Sequence, residues 1–148
     1  MKTLILSVLF PLLLPVSSTW LTNMDDARQV AKAKHEFILL NFSGSDWCGP
    51  CIKLHHEIFE SSVFQQYADS HLVLVNADFP RLKKNQLARD QQKRNDALAD
   101  KYNPKGIFPY TLLLDGDGNV LKAWEGFFER GAEDFVYEIK NELTGRTN

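Results

Sequence analysis

The stretch Phe37-Ile38-Leu39-Leu40-Asn41-Phe42-Ser43-Gly44-Ser45-Asp46-Trp47-Cys48-Gly49-Pro50-Cys51-Ile52-Lys53-Leu54 decides how this chain is read. Phe37 to Phe42 is a short, nearly continuous apolar run, the pattern of a strand buried on both faces. Ser43-Gly44-Ser45-Asp46 breaks that run. Pro50 then fits the first turn of a helix, which carries Ile52, Leu54, Ile58 and Phe59. The predicted order is therefore strand, break, helix, with two cysteines at the mouth of the helix.

Cys48 and Cys51 are the chain's two cysteines. A bridge between them closes a four-residue loop and removes little chain entropy, so it adds little stability. The position suits chemistry better. Amides at a helix start point outward unpaired, and the positive end of the dipole stabilises a thiolate. A thiolate is the attacking species, and such a setting lowers a cysteine pKa from ~8.5 toward ~7 or below. Cys51 lies one helical turn deeper, within reach of the Cys48 sulfur and away from bulk solvent. Cys48 is expected to attack a substrate disulfide, and Cys51 to resolve the mixed disulfide. Pro50 stiffens the turn, Gly49 keeps the surface low for an approaching chain, and Trp47 shields one side.

Working toward the N-terminus, Asn23 to His35 reads as a helix. Asn23 caps it, Asp25 and Asp26 suit its positive end, and Ala27, Val30, Ala31 and Lys34 follow at helical spacing. Met1 to Ser18 differs from the rest: a basic start at Lys2, an apolar run from Leu4 to Val16, then small residues. The run is shorter than the ~20 residues of a bilayer span, and Pro11 and Pro15 interrupt it. Residues 1–18 are read as a secretory signal cleaved near Ser18, with residues 19–148 as one domain; an uncleaved membrane anchor is the alternative. Export places the cysteine pair where disulfides persist.

Toward the C-terminus, Leu72 to Ala77 is a second buried strand. Ser61 or Ser62 ends the preceding helix or caps a short turn through Phe64 and Tyr67. Arg81 to Arg94 is polar and basic, a loop with partial helix, and Asp96 to Tyr102 resumes a helical pattern. Asn103 to Gly106 is a turn and Tyr110 to Leu114 a third strand. Asp115 to Asn119 turns a hairpin into Val120 to Trp124. Ala132 to Leu143 closes as an amphipathic helix with Phe135, Val136, Ile139 and Leu143 on one face. The first half implies a parallel pair with a right-handed crossover, the second a hairpin covered by a helix.

With these residues in place, the chain resembles the thioredoxin superfamily. Trp47-Cys48-Gly49-Pro50-Cys51 is that family's active-site string. The likeness runs from Phe37 to Leu143 through Lys101-Tyr102, Gly106-Ile107, Pro109 and Thr111 to Leu114. It implies a thioredoxin-like α/β fold, a central mixed sheet flanked by helices. It implies that Pro109 follows a cis peptide bond and faces the redox cysteines, leaving the Phe108 backbone open to pair with a substrate strand. Gly44 to Trp47 and the long segment from Pro80 to Arg94 look most like exported bacterial members, including the C-terminal domains of disulfide-interchange proteins. Family members commonly bury an aspartate behind the second cysteine, with a lysine nearby. Asn41 and Leu74 match those positions here, leaving Asp46 and Glu57 as candidate proton acceptors for Cys51.

The activity expected is an exported, periplasmic or secreted thiol–disulfide oxidoreductase, a reductase or electron carrier on protein substrates. It needs no organic cofactor, works as a monomer, and implies a membrane-bound electron donor. The alternatives are an oxidase or isomerase, and a non-catalytic metal or protein binder. His55 and His56 follow Cys51 closely enough to suggest a metal, but Pro50 between the cysteines and the lack of further cysteines argue against one. Asp115 to Asn119 fails the calcium-loop pattern at Val120 and Gly126. Arg81 to Arg94 holds six basic residues against Asp90 alone. It lacks interleaved aromatics, and the formal net charge of the chain is −2, so nucleic acid is not expected. A solvated face is the default reading of this segment, and docking to an acidic redox partner the second. Trp124, Phe127 and Phe128 are core or rim residues, or else an apolar lip near Pro109.

Overall fold

The computed structural model describes residues 19–145, so the signal reading of residues 1–18 lies outside it. Five strands form one mixed sheet in the order β1-β3-β2-β4-β5. They are β1 (Trp20–Leu21), β2 (Phe37–Ser43), β3 (Leu72–Asp78), β4 (Tyr110–Leu114) and β5 (Val120–Glu125). β1 and β2 run parallel to β3, while β4 is antiparallel to both β2 and β5. This is the central mixed sheet flanked by helices that the family resemblance implied.

The apolar runs are continuous because both sheet faces are covered. Leu39, Leu74 and Leu113 point into one core cluster with Leu54, Ile58, Phe59, Phe64 and Phe135. Their neighbours Ile38, Leu40, Phe42, Val73, Val75, Leu112 and Leu114 point into the other, against Ala27 and Ala31. Period-two alternation thus feeds two separate cores from a single strand. The helix α1 (Met24–Lys34) starts where expected: the Asn23 side chain accepts the Asp25 amide at 3.0 Å. It ends at His35, which takes up a left-handed conformation with φ 56°.

Three elements depart from the sequence-based expectation. Helix α2 (Gly49–Leu54) runs on into a π-helical turn over His55–Phe59, closed by the Glu60 amide on the His55 carbonyl at 2.9 Å. The wider turn lets the adjacent residues Ile58 and Phe59 both face the core. Helix α3 (Ser62–His71) is ten residues long rather than a short turn, and the Ser61 hydroxyl caps it by accepting the Phe64 amide. The segment expected as a loop with partial helix holds a 3₁₀ turn at Lys83–Asn85 and one unbroken helix, α4 (Arg89–Tyr102). The C-terminal half of its inner face packs Leu98, Ala99 and Tyr102 on the second core, and the N-terminal half is fastened by amides. Gln91 donates to the Thr22 carbonyl, and buried Asn95 donates to that of Asp78. Apolar periodicity is blind to that amide half. The edge strand β1 also escaped notice, because two residues carry no period.

The last helix, α5 (Ala132–Thr144), covers the first core through Phe135, Val136 and Ile139. Trp124 and Phe128 pack on Phe135, with ring centroids 4.8 and 5.2 Å away, and Phe127 also packs against this cluster. Trp124 is thus a core residue, and Phe127 and Phe128 are partly buried at its rim. The Asp115 carboxylate accepts the amides of Asp117 and Asn119 and the Asn119 side chain, so it is engaged by its own turn.

Candidate active site

β2 delivers the chain to a tight turn in which the Cys48 amide bonds to the Gly44 carbonyl at 2.9 Å. Gly44 is required there, because a Cβ would lie 2.3 Å from the Trp47 indole. Cys48 is the N-cap of α2, and its Sγ accepts the Cys51 amide at 3.3 Å. A helix amide thus already points at the sulfur that would carry a thiolate charge, which is the interaction that favours the anion. Cys48 and Cys51 form a disulfide with their Cα atoms 5.2 Å apart, and both residues are 4% exposed. Gly49 and Pro50, between them, are exposed.

Trp47 is held on three sides. Its Nε1 donates to the Phe79 carbonyl at 2.7 Å. Its ring meets Phe108 edge-on, with centroids 5.5 Å apart. The Arg81 guanidinium lies 3.6 Å above it. The Phe108 contact brings the Phe108–Pro109 junction alongside the cysteine turn, and that peptide bond is cis, as the resemblance implied. Asn103, which the sequence offered only as a turn residue, braces the approach to Pro109. Its buried side chain donates to the Ile107 carbonyl and accepts the Ile107 amide.

Behind Cys51 lies a cleft of about 190 Å³ lined by Asn41, Ser43, Ser45, Ile52, His55, His56 and Asn76. Asn41 is buried there. Asn41 stands opposite Asn76, whereas Leu74 stands opposite Leu39, deeper in the core. Asn41 donates to Asn76 at 3.1 Å and accepts the Thr111 hydroxyl at 3.1 Å, so a neutral ladder crosses three strands beneath the cysteine. Sequence reading missed Asn76 and Thr111. An alternating polar residue in an otherwise apolar strand was their signal.

Neither carboxylate offered as a proton acceptor reaches this cleft. Glu57 lies beside Lys53 in the solvent. Asp46 accepts the amides of Arg81 and Leu82 and the side chain of Asn85, all within 3.0 Å. The ionisable side chains that do line the cleft are His55 and His56. Both rings contact the Glu60 carboxylate, at 3.3 and 2.6 Å, and the His55 ring also lies near Trp20 and Phe59.

Asp46 instead bolts the segment after β3 to the cysteine turn. The Arg81 amide foremost, with help from Asn85 and Leu82, holds its carboxyl below the ordinary value of 3.8. A depressed folded-state pKa means the tether is intact above that value and is lost as pH falls through the lower folded one. Asp46→Ala should therefore speed tryptic cleavage after Arg81, Lys83 or Lys84 at neutral pH. Unchanged cleavage would refute the tether.

A family model described as a thioredoxin-like domain matches residues 24–139. The chain is similar to the disulfide bond reductase DsbH of Chlamydia pneumoniae, with 37% identity over 118 residues, 80% of this chain and 69% of that protein. It is 32% identical over 120 residues to the thioredoxin-related protein DsbJ of the same organism, covering 77% of this chain but only 34% of the relative's length. Among solved structures, a DsbH oxidoreductase superposes with a TM-score of 0.79 and 32% identity over 97% of this chain and 95% of that one. The oxidised C-terminal domain of Neisseria meningitidis DsbD, 19% identical over 80% of this chain and 90% of that one, has a TM-score of 0.54 and bears on fold alone. With a bonded cysteine pair at the mouth of a helix, a five-stranded mixed sheet and these matches, the chain belongs to the thioredoxin-like family, as a thiol–disulfide oxidoreductase.

Proposed function

We propose that the protein is an exported disulfide reductase in which Cys48 attacks and Cys51 resolves. The Cys51 amide on the Cys48 sulfur is the observation that carries this assignment. In the reduced protein the Cys48 thiolate attacks one sulfur of a substrate disulfide and expels the other as a thiolate. Cys51, once deprotonated, attacks the Cys48 sulfur and releases the second substrate thiol. Two electrons pass to the substrate, and the Cys48–Cys51 disulfide is the product. The Cys51 proton leaves through the polar cleft lined by Asn41 and Asn76. Trp47, Gly49 and Pro50 form the surface a substrate crosses, and Pro109 sets the Phe108 backbone for strand pairing with it.

The direction is supported by the printed name of the C. pneumoniae relative and by the Gly-Pro pair, as in thioredoxin. Return to the dithiol needs a donor of the same chemistry, and outside the cytoplasm that donor is a membrane-bound dithiol protein. Export rests on the sequence of residues 1–18. Among the described residues, no helix is long and apolar enough to cross a membrane.

Equilibration with glutathione tests the direction. A potential near −270 mV is expected, as for thioredoxin, and one above about −180 mV would make the protein an oxidase or isomerase instead.

A further inference from the structure

Beside the cysteine turn lies a second groove, of about 380 Å³. Trp47, Phe79, Pro80 and Phe108 give it apolar walls, and Arg81 and Gln92 line it with polar groups. It begins one residue from Cys48 and shares Trp47 and Phe108 with the surface proposed above to hold a substrate, so a chain bonded to that sulfur has this groove within reach. Six of the chain's 17 basic residues and one of its 19 acidic residues fall between 81 and 94. All six are exposed, and among the described residues none of them is in an ion pair. Outside that segment, eleven basic residues face eighteen acidic ones. The excess positive charge is thus concentrated in the segment that begins at this groove with Arg81. Helical spacing sets Arg89 and Lys93 on the same face of α4 as Gln92, so these two cations extend a basic crest from the groove.

Arg81 is prepared for a ligand. Its guanidinium is stacked on Trp47 and its amide is tied to Asp46, so little freedom remains to be lost on binding. A planar guanidinium held in this way matches a carboxylate. We infer that this groove selects protein substrates that carry an acidic residue two or three positions from the reactive cysteine, with Arg81 as the specificity-determining contact. The inference rests on the reductase reading above and names the substrate class for that site. A residue two or three positions away lies about 7–10 Å along an extended strand, the scale of this groove. The groove is concave, partly aromatic and adjacent to the reacting sulfur. These features fit a polypeptide rather than a lipid surface. The field of the crest also turns an acidic partner toward the redox edge before contact.

The test uses two disulfide-linked peptides, identical except for Glu or Gln at those flanking positions, with dithiothreitol as reductant. At low ionic strength kcat/KM should favour the Glu peptide roughly ten-fold, mainly through KM. The preference should collapse toward one at 0.5 M salt and in Arg81→Gln. Lys140→Gln, which removes a distant cation on α5, should keep the wild-type ratio and so control for net charge. Equal kcat/KM for the two peptides in the wild type would overturn the inference and leave the reductase reading standing. A Glu preference that survives in Arg81→Gln would also overturn it. Sedimentation of the protein with phosphatidylglycerol vesicles, lost in Arg81→Gln, would assign the crest to a membrane instead. No turnover of either peptide would overturn the reductase reading and this inference with it.

Discussion

Cys48→Ser should abolish insulin reduction by dithiothreitol, with a loss of roughly 10³-fold or more, because a serine hydroxyl is not ionised near neutral pH and forms no disulfide. Cys51→Ser should fail differently. Its Cys48 still attacks, but the partner sulfur that releases the substrate is gone, so a mixed disulfide accumulates and mass spectrometry finds the substrate attached. The asymmetry follows from position. Cys48 caps the helix and receives the Cys51 amide, while Cys51 lies within the first turn against the cleft of Asn41 and Asn76. Titration of the reduced protein should show the Cys48 thiol more acidic than a free cysteine. A normal insulin-reduction rate in Cys48→Ser, or equal trapping by the two variants, would remove the assignment of roles.

The second large effect concerns the fold that holds this site. Phe135 is fully buried, and its ring meets those of Phe59, Phe64, Trp124 and Phe128. Phe135→Ala should cost about 3–5 kcal/mol, from lost transfer energy plus the cavity left behind. A domain stable by only about 5–15 kcal/mol loses a large share of its margin, and its melting temperature should fall by roughly 10–20 °C. Tyr137, two residues on, is 61% exposed, and Tyr137→Ala should stay within about 0.5 kcal/mol. Calorimetry on both variants, with the disulfide intact, checks the contrast. A Phe135→Ala protein that melts with the wild type would mean that this cluster is not what holds α5 to the sheet.

Phe59, which joins Phe135 to the redox helix, shows how far patterning carries the argument. Its membership of that helix is plain from sequence, but the π-helical turn that seats it beside Ile58 is not. Periodicity marks which residues are apolar, and the choice between a normal and a widened turn is made by the cavity they must fill. α4 makes the opposite case. Leu98, Ala99 and Tyr102 make the second half of its inner face apolar and legible, whereas Gln91 and Asn95 supply the first half, so polarity concealed it.

Before any coordinates, the residues of this chain specify buried strands, a helix opened by Pro50, a cysteine pair at its mouth and a proline before the third long strand. These are local properties: side-chain polarity repeats at the period of its element, and a proline or a cap acts within one turn. Tertiary structure alone decided which groups meet across the sheet and its loops. It set Asn76 opposite Asn41, took Asp46 away from Cys51 to anchor Arg81, and laid that guanidinium on Trp47. Strand register and the path of a long connection depend on how whole elements pack, and the residues they bring together are more than 30 positions apart in the chain.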